Sequence, residues 1–253
     1  MILKIYRPPS SYFLFFLILL YPLITKTETV GLCIVATGKY IAYAQQLVVS
    51  AEKYFCRNQK TKYFIFTDAV LENTENTTYL FHPRLGWPFD TLKRVYAYDS
   101  YKKELESCDY LFACDADMLF VAPMGNEILD YRVATEHPCY TGNRRGTYDE
   151  NKESTAYVAP HEGITYFAGG FYGGSRNEFF RINHTLIEQM EKDFTYNYIA
   201  LWHDESHLNR YFIDNKPTTI LPLNYCFPEH YSYPNNFQPK LLALDKNHAE
   251  MRK

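Results

Sequence analysis

The sequence predicts an α/β fold in which a Rossmann-like, mostly parallel central sheet is flanked by helices within one two-lobed domain. Apolar runs at 29–36, 62–67 and 110–121 have the length and composition of buried strands. Segments with helical spacing of apolar residues lie between these runs, and this order is the one that produces parallel sheets. The 253 residues, of which 47% are hydrophobic and 22% charged, are enough for one sizeable core.

The first half of the chain consists of alternating predicted strands and helices. Gly38 makes a turn after the first strand, and a helix over 40–54 follows because apolar residues recur there at helical spacing. After the second strand, a polar segment leads to a third short strand and then to a loop at 82–88. A helix from about 91 to 105 precedes the third apolar run.

The second half adds further elements and one segment with two interpretations. The stretch Gly142–Glu153 is too charged for the core, and its glycines allow either a plain surface loop or a mobile lid. Four glycines within the strand-like run Tyr166–Gly174 indicate close backbone approach to a ligand, or else a bulge and close packing. The remaining predicted elements are a strand at 133–136, helices at 177–192 and from Asp204 onward, and a last strand at 218–221.

Charge and cysteine content exclude some classes of function. The net charge of -3 arises from 26 basic and 29 acidic residues, so no basic field indicates nucleic-acid binding. The six cysteines form no CxxC pair and no Cys/His zinc spacing. We interpret most of them as packing thiols, and a disulfide is compatible with a luminal domain only. The aromatic share of 17% supplies side chains that stack on sugars and bases, or simply an aromatic-rich core.

Residues 1–28 are predicted to be a membrane-targeting segment that precedes a domain at 29–253. Lys4 and Arg7 are followed by a dense apolar block at 12–24, which lacks a small-residue cleavage site. A signal anchor is therefore favoured over a cleaved signal peptide, although the block is short for a spanning helix. The positive charges predict a cytoplasmic N-terminus and a folded domain on the far side of the membrane.

Asp115 and Asp117 follow a mostly apolar stretch and are the strongest candidates for chemistry. Residues two apart on an extended strand project to one face, so both carboxylates can bind one cation. Carboxylate oxygens suit Mn²⁺, or Mg²⁺, bridging to a diphosphate. The alternative is a pair of strand-end carboxylates that face water.

A second group of polar residues begins at Trp202, which precedes Asp204 and Glu205. Acidic residues are favoured in the first turn of a helix, and this is one explanation for the two carboxylates. The indole supports another, because a Trp beside adjacent acids offers a flat face and hydrogen-bond acceptors to a sugar ring.

Several short motifs that occur in the same order make the chain similar to glycosyltransferase family 6. This family comprises the retaining α1,3-transferases that include the blood-group A/B enzymes and the α1,3-galactosyltransferase. The similarity covers roughly residues 30 to 250, and it implies a GT-A fold, a UDP-sugar donor and an essential Mn²⁺. The motifs are Gly38–Ile41, Trp87–Arg94, Phe112–Asp117, Glu153–Tyr157, Tyr166–Gly174 and Trp202–Phe212.

The resemblance also implies roles for individual residues. Asp115 and Asp117 correspond to the metal and donor carboxylates, and Glu205 to the catalytic carboxylate. Asp204 corresponds to a donor-sugar contact and Arg94 to a basic residue over the donor. The other implied positions are a uridine-binding turn at Ala36, Thr37 and Tyr40, a donor-selecting segment at Ala168, Gly169 and Gly170, and acceptor contacts at His137 and Trp202.

Two features depart from the family pattern. The long stem of the animal enzymes is missing, and bacterial relatives without a stem usually carry asparagines in place of the metal aspartates. A compact form with both aspartates favours metal dependence and leaves the origin open. We expect a single-pass membrane protein with its catalytic domain in the Golgi lumen if the source is eukaryotic, and a membrane-associated bacterial enzyme otherwise. The sequons at Asn76 and Asn183 matter only in the first case.

The expected activity is transfer of N-acetylgalactosamine or galactose from a UDP-sugar to a β-galactoside acceptor on lipid or protein, with retention. Gly170 favours N-acetylgalactosamine, because glycine at the matching position of the blood-group enzymes accompanies that sugar. One alternative is a metal-dependent phosphohydrolase, whose early Asp nucleophile and downstream Lys motif are not evident. The other is a non-catalytic sugar-binding protein, which need not retain Asp115, Asp117 and Glu205 together.

Overall fold

The structure is a computed structural model that describes residues 27–142, 144–232 and 236–251. Its strands are β1 Thr29–Val35, β2 Lys60–Thr67, β3 Thr77–Phe81, β4 Tyr110–Cys114, β5 Met118–Phe120, β6 Arg132–Glu136, β7 Phe167–Ser175, β8 Thr219–Leu221, β9 Phe227–Pro228 and β10 Leu241–Ala243. Its helices are α1 Tyr40–Tyr54, α2 Phe89–Leu92, α3 Arg94–Ser100, α4 Lys102–Leu105, α5 Arg176–Thr195, α6 Asp204–Asp214 and α7 His248–Met251. Short 3-10 turns lie at Asn126–Ile128 and Leu223–Tyr225.

Seven of the described strands form the main sheet in the order β3-β2-β1-β4-β7-β6-β8. Neighbouring strands are parallel except where β7 pairs with β4 and β6. The predicted mostly parallel α/β sheet is confirmed, and β7 is the strand whose direction the sequence pattern did not indicate. The carboxyl ends of β1 and β4 lie at one edge of the sheet, where ligands of such sheets bind.

Two apolar layers cover the opposite faces of this sheet. In β1, Val30, Leu32 and Ile34 belong to the layer under α1, whereas Cys33 belongs to the layer formed with α3, α5 and α6. Burial on both faces explains why β1 has no polar alternation. The buried positions of α1 are those that helical spacing predicts, Ala44, Leu47, Val48 and Ala51.

The glycines near the end of β7 allow its neighbours to approach closely. A Cβ on Gly173 would lie 2.2 Å from the Leu111 carbonyl oxygen. One on Gly174, where φ is +144°, would lie 2.2 Å from the Tyr131 carbonyl oxygen. Close packing therefore explains these two glycines, whereas Gly169 and Gly170 lie beside the site described below.

The single helix predicted from about 91 to 105 is wrong, because the chain forms three short helices that are interrupted at Lys93 and Tyr101. The side chains of the two residues at these interruptions each contact a distant residue. The Lys93 ammonium lies 5.2 Å from the centroid of the Phe194 ring. The Tyr101 hydroxyl donates a hydrogen bond to the Phe81 carbonyl oxygen at 2.8 Å.

A second sheet near the C-terminus was not predicted. In it β10 pairs antiparallel with β5 and parallel with β9. Strands of two or three residues are too short to show a periodic pattern. This pairing returns the chain to the end of β4, and it places Lys246 and α7 beside the sheet edge that carries the site.

All six cysteines are free, and every one except Cys139 is buried. The interpretation of most of them as packing thiols is confirmed. The predicted N-terminal targeting segment lies almost entirely outside the described residues. Among the residues that are described, no helix is long and apolar enough to cross a membrane.

Candidate active site

A cavity of about 250 Å³ opens at the carboxyl ends of β1 and β4. Parallel sheets bind their ligands at this edge because the loops there diverge from the strand ends. The predicted site residues that line the cavity are Thr37, Tyr40, Arg94, Asp115 and Asp117. Arg84, Trp87, Lys246 and Met251 are among the other residues that line it.

Asp115 and Asp117 lie in a turn that connects the two sheets. β4 ends before Asp115 and β5 begins after Asp117. The Asp115 amide donates to the carbonyl oxygen of Gly170 in β7 at 3.0 Å, and the Asp117 carbonyl accepts from the Leu244 amide at 2.8 Å. These contacts to two different sheets turn the chain, so the prediction of one extended strand with both carboxylates on one face is wrong. Both carboxylates nevertheless line the same cavity.

Each of the two carboxylates contacts a positively charged side chain. Asp115 accepts a hydrogen bond from the Arg94 guanidinium, and Asp117 forms an ion pair with the Lys246 ammonium. Lys246 reaches Asp117 because the β5–β10 pairing places the residues after β10 beside the turn. The buried Asp117 therefore satisfies the requirement that buried charge be paired, and the partly exposed Asp115 is paired as well.

The carboxylates fit a divalent cation such as Mn²⁺ or Mg²⁺. These ions prefer oxygen ligands, and Mg²⁺ is commonly held by one or two carboxylates together with substrate phosphates. Among the described residues, no group of three or more His, Cys, Asp and Glu side chains could enclose a metal ion. Asp115 and Asp117 would supply oxygen ligands from the protein, and in the structure each carboxylate is paired with a cationic side chain, Asp115 with Arg94 and Asp117 with Lys246.

Arg94 joins the cavity to the second acidic motif. Its guanidinium donates to Asp115 and, at 2.7 Å, to the Gly169 carbonyl oxygen, and its Nε lies 2.5 Å from Asp204 Oδ2. Burial lowers the pKa of Arg94, but Asp204 and Asp115 together raise it well above its ordinary value. The side chain is 7% exposed. Arg94 is therefore a charged, buried bridge between α3, β4, β7 and α6 that also lines the cavity.

Glu205 approaches the same contacts from the first turn of α6. Its Oε2 accepts a hydrogen bond from the Gly169 amide at 2.7 Å, and its Oε1 accepts one from the Tyr166 hydroxyl at 2.9 Å. Burial raises the pKa of Glu205 to about 7, the two hydrogen bonds oppose this rise, and Asp204 adds to it. Although the residue keeps partial exposure, protein atoms surround its carboxyl group.

The position of α6 depends on a buried amide side chain. Asn209 donates from Nδ2 to the Phe167 carbonyl oxygen at 2.9 Å and accepts from the Phe167 amide at 2.8 Å. These two bonds fix α6 against the start of β7, and they therefore set Glu205 beside Gly169. Asp204, also in this first turn, is 1% exposed, and burial raises its pKa to about 6 while Arg94 opposes the rise.

The two predicted acceptor contacts are connected through a hydrogen-bonded bridge. Trp202 donates from Nε1 to the Thr147 hydroxyl at 2.9 Å, and that hydroxyl is 2.7 Å from the Tyr140 hydroxyl. The Tyr140 ring lies 5.0 Å from His137 and 5.0 Å from Tyr166, centroid to centroid. The Tyr166 hydroxyl also donates a hydrogen bond to Glu205 in α6. The predicted acceptor contacts are therefore linked to Glu205 through a continuous series of side-chain contacts.

His137 and Trp202 differ in what they present to a ligand. The Trp202 side chain is 48% exposed, so it offers an apolar face. Burial lowers the pKa of His137 to about 4, so the ring is neutral at physiological pH. Its Nδ1 accepts from the Cys139 amide at 3.1 Å, which places the ring proton on Nε2.

The remaining predicted residues divide between the cavity and the core. Thr37 and Tyr40 line the cavity, whereas Ala36 is fully buried. The turn between them depends on Gly38, which adopts a φ of +57°. Ala168 is buried within β7 and does not line the cavity.

Gly169 and Gly170 face opposite sides of β7, as successive strand residues do. A Cβ on Gly169 would lie 3.0 Å from Arg94 Nη2 and 3.3 Å from Glu205 Oε2. A Cβ on Gly170 would instead lie 3.2 Å from Cys226 Sγ and 3.4 Å from Asp115 Oδ2. Gly169 therefore borders the Glu205 carboxylate, and Gly170 borders the Asp115 carboxylate.

The stretch Gly142–Glu153 was expected to be too charged for the core, and this is wrong for three of its described residues. Gly146, Tyr148 and Asp149 are buried. Asp149 accepts hydrogen bonds from the Tyr198 hydroxyl at 2.9 Å and from the Leu201 amide at 2.9 Å. The second half of the stretch is therefore anchored to the loop before α6.

Sequence reasoning assigned no role to four residues that the structure brings to the site. They are Thr147, Tyr166, Asn209 and Lys246. Tyr166 lies two residues before Ala168, the first residue of the predicted donor-selecting segment, and this closeness in sequence is a usable signal. Lys246 has none, because it follows a strand too short to predict and its partner is far away in the sequence.

Comparison with known proteins extends over most of the chain. The sequence profile of glycosyltransferase family 6 matches residues 17–78 and 89–253, which include every predicted site residue. Histo-blood group ABO system transferase 1 of Rattus norvegicus is 30% identical over 248 residues, which cover 90% of this chain and 69% of the relative. Globoside alpha-1,3-N-acetylgalactosaminyltransferase 1 of Homo sapiens is 30% identical over 237 residues, which cover 88% and 68%.

A shorter relative also matches. An O-antigen biosynthesis glycosyltransferase of Escherichia coli is 27% identical over 219 residues, which cover 84% of this chain and 92% of the relative. The matched ranges contain every strand of the main sheet except most of β3, and they contain the cavity-lining carboxylates. On the profile match, the two relatives at 30% identity and the sheet that carries the site, this chain belongs to glycosyltransferase family 6.

Proposed function

We propose that the protein is a retaining α1,3-glycosyltransferase that moves N-acetylgalactosamine or galactose from a UDP-sugar to a β-galactoside acceptor. One observation carries this proposal. The buried Arg94 side chain contacts Asp115 in the cavity and the Gly169 carbonyl oxygen, while the Gly169 amide donates to Glu205. The cavity and the carboxylate in α6 thus form one connected site, as a transferase requires and a sugar-binding protein does not.

The cavity is the proposed donor site. Thr37 and Tyr40 would contact the uridine, and Asp115 and Asp117 would hold Mn²⁺ or Mg²⁺ and face the diphosphate. When bound, the metal ion neutralises the charge that develops on the departing diphosphate. Lys246 adds a fixed positive charge at the same place.

Glu205 is the proposed catalytic carboxylate. The Gly169 amide and the Tyr166 hydroxyl hold its two oxygens, so its orientation is set before the substrate arrives. In the ionised form it either attacks the anomeric carbon or stabilises positive charge there from the face opposite the diphosphate. Glycosidases use a carboxylate near the anomeric carbon in both roles. In either case the acceptor enters on the side of the leaving group, and the configuration is retained.

The wall formed by His137, Thr147 and Trp202 is the proposed acceptor site. The exposed indole of Trp202 would stack on a galactose ring, and the neutral His137 would offer one hydrogen bond. The acceptor would be a β-galactoside of a glycolipid or glycoprotein. N-acetylgalactosamine is the favoured donor sugar, and the similarity to the human globoside alpha-1,3-N-acetylgalactosaminyltransferase 1 supports this choice.

The proposal extends to location. Residues 1–28 would act as a signal anchor or signal peptide, and 29–253 would form the catalytic domain, in the Golgi lumen of a eukaryote or on a bacterial membrane. The basic residues and apolar block before residue 25 support this assignment. Fractionation of cells that express the full chain, with protease protection of the domain, tests it.

The decisive experiment incubates the purified chain with UDP-N-acetylgalactosamine or UDP-galactose, a panel of β-galactosides, and Mn²⁺ or EDTA. We expect an α1,3-linked product, identified by NMR, that requires the metal. Binding of sugars without transfer would identify a lectin-like protein instead. Phosphate release from phosphomonoesters with no sugar transfer would identify a phosphohydrolase.

A further inference from the structure

Cys226 lies directly behind the donor-selecting segment. It follows the 3-10 turn Leu223–Tyr225 and precedes β9, and its amide donates to the Leu223 carbonyl oxygen at 3.1 Å. The residue is 8% exposed and belongs to the same apolar layer as Ala168 and Phe171. Close packing on this side leaves the thiol little freedom to move.

The thiol meets the position where a side chain on residue 170 would begin. A Cβ on Gly170 would lie 3.2 Å from Cys226 Sγ and 3.4 Å from Asp115 Oδ2. The first distance is shorter than the optimal separation of about 3.5–4.0 Å between non-bonded heavy atoms. The space that a side chain at position 170 would occupy therefore has two boundaries. The Cys226 thiol closes it on one side, and the Asp115 carboxylate in the cavity bounds it on the other.

We propose that Cys226 is a further specificity-determining residue for the donor sugar, acting together with Gly170 to set the room beside Asp115. The inference rests on the proposed UDP-sugar transferase activity. A larger side chain at 226 pushes into the space that Gly170 leaves, so it disfavours a donor with an acetamido group at C2. A smaller side chain opens that space. Burial raises the pKa of the thiol, so it stays uncharged beside Asp115.

The proposal makes a specific prediction about coupling between the two positions. Gly170→Ala alone forces the new methyl group against the thiol, and the ratio of kcat/KM for UDP-N-acetylgalactosamine over UDP-galactose should fall by roughly tenfold or more. Removing the thiol as well, in Gly170→Ala with Cys226→Ala, makes room for that methyl group. The ratio should then return to within about twofold of the wild type, the limit of ordinary additivity.

The experiment is a double-mutant cycle on the full chain, with both donors in competition. Cys226→Ser preserves size and should leave the ratio unchanged, whereas Cys226→Val should lower it. Cys108→Ala serves as the matched control, because Cys108 is also a buried free thiol but its Sγ lies near Gly31, away from the cavity. Combined with Gly170→Ala, this control should give no recovery. Thermal melts of every variant check that each is folded.

The outcomes separate this inference from the proposed function. If transfer occurs but the effects at 170 and 226 are independent, Cys226 has no part in donor choice and the inference is overturned while the function stands. If the wild type transfers neither sugar, the proposed function fails. Calorimetric affinities for the two donors then provide the same cycle, and independent effects there also overturn the inference.

Discussion

Glu205 combines a fixed orientation with a pKa close to neutrality, and both follow from its surroundings. The Gly169 amide and the Tyr166 hydroxyl stabilise the ionised form, whereas burial disfavours it more strongly. With a pKa of about 7, the carboxyl group exists in both its protonated and its ionised form near physiological pH, which suits a group that acts in proton-dependent chemistry. Its role in the chemical step is therefore testable by a change that removes the charge and preserves the shape.

We expect Glu205→Gln to lower kcat by at least about two orders of magnitude while the affinity for UDP changes little, since the charge acts mainly in the transition state. Steady-state kinetics with saturating acceptor, together with calorimetric titration of UDP, measure both quantities. A variant with a raised KM and a preserved kcat would make Glu205 a binding residue instead.

Activity should depend on pH through the same group. The ordinary pKa of a glutamic acid is about 4.3, and that of Glu205 is raised to about 7. Between these values the native state binds a proton that the unfolded state lacks, so this group lowers folding stability as pH rises through that window. In the proposed mechanism Glu205 acts in its ionised form, so kcat should fall as pH falls through about 7.

Tyr166→Phe provides the sharper form of this prediction. The Tyr166 hydroxyl lowers the pKa of Glu205, so its removal should move the acidic limb of the kcat profile to higher pH by about one unit, as expected for a hydrogen bond to a charged group. Tyr148→Phe is the control, because that hydroxyl donates to the Thr165 carbonyl oxygen instead. Equal profiles for both variants would contradict the assignment.

A substitution at Asp117 tests the proposed metal site. Asp117→Asn removes a charge that pairs with Lys246 at the cavity, and we expect Mn²⁺-supported turnover to be abolished while the melting temperature changes by only a few degrees. The proposal also predicts that Mn²⁺ tightens UDP binding to the wild type and that the variant loses this effect. Undiminished wild-type activity in EDTA would show that no metal is needed.

At the scale of elements, the stretch Gly142–Glu153 is held unevenly. Its second half is anchored through buried Asp149, and its first half contacts the site through Thr147. A lid formed by the first half could therefore move while the second half acts as a fixed end. The sequence pattern does not show this difference, because charged residues occur in both halves of the stretch.

Hydrogen exchange measures this difference. Amides of the exposed residues Arg144, Arg145 and Thr147 should exchange rapidly in the free protein and slowly once UDP and Mn²⁺ are added, whereas amides after Asp149 should be protected in both states. Equal protection of these three amides with and without ligand would identify an ordinary surface loop.

At the scale of the whole molecule, the fold distinguishes the two sequons. Asn76 is exposed at the start of β3. Asn183 is 1% exposed within α5, donates to the Phe179 carbonyl oxygen at 2.7 Å and accepts from the Tyr172 hydroxyl at 2.9 Å. A glycan on Asn183 is incompatible with this packing.

If the full chain is expressed in a eukaryotic secretory pathway, we expect the folded product to carry one glycan, on Asn76. Peptide mapping by mass spectrometry locates it, and Asn76→Gln should remove the mass increment that Asn183→Gln leaves in place. An unmodified product would place the domain outside the lumen or show that Asn76 is not accepted.

Much of the fold followed from local pattern. Apolar runs and helical spacing predicted β1, α1 and β2 nearly to their ends, because each of these elements is buried on the sides that its periodicity indicates. The helix after residue 91 was predicted poorly, since the chain breaks it at Lys93 and Tyr101, and both residues also contact distant parts of the chain. The short strands of the second sheet left no periodic signal at all.

The sequence by itself determined the class of fold, the family and which acidic residues to examine, because these depend on local periodicity and on residue types at fixed spacing. Only the tertiary structure decided how those residues act together. Arg94 meets Gly169 across 75 positions of sequence, and Lys246 meets Asp117 through a pairing of two short strands. Such contacts arise from the order and direction of strands in the sheet, and no local pattern encodes them.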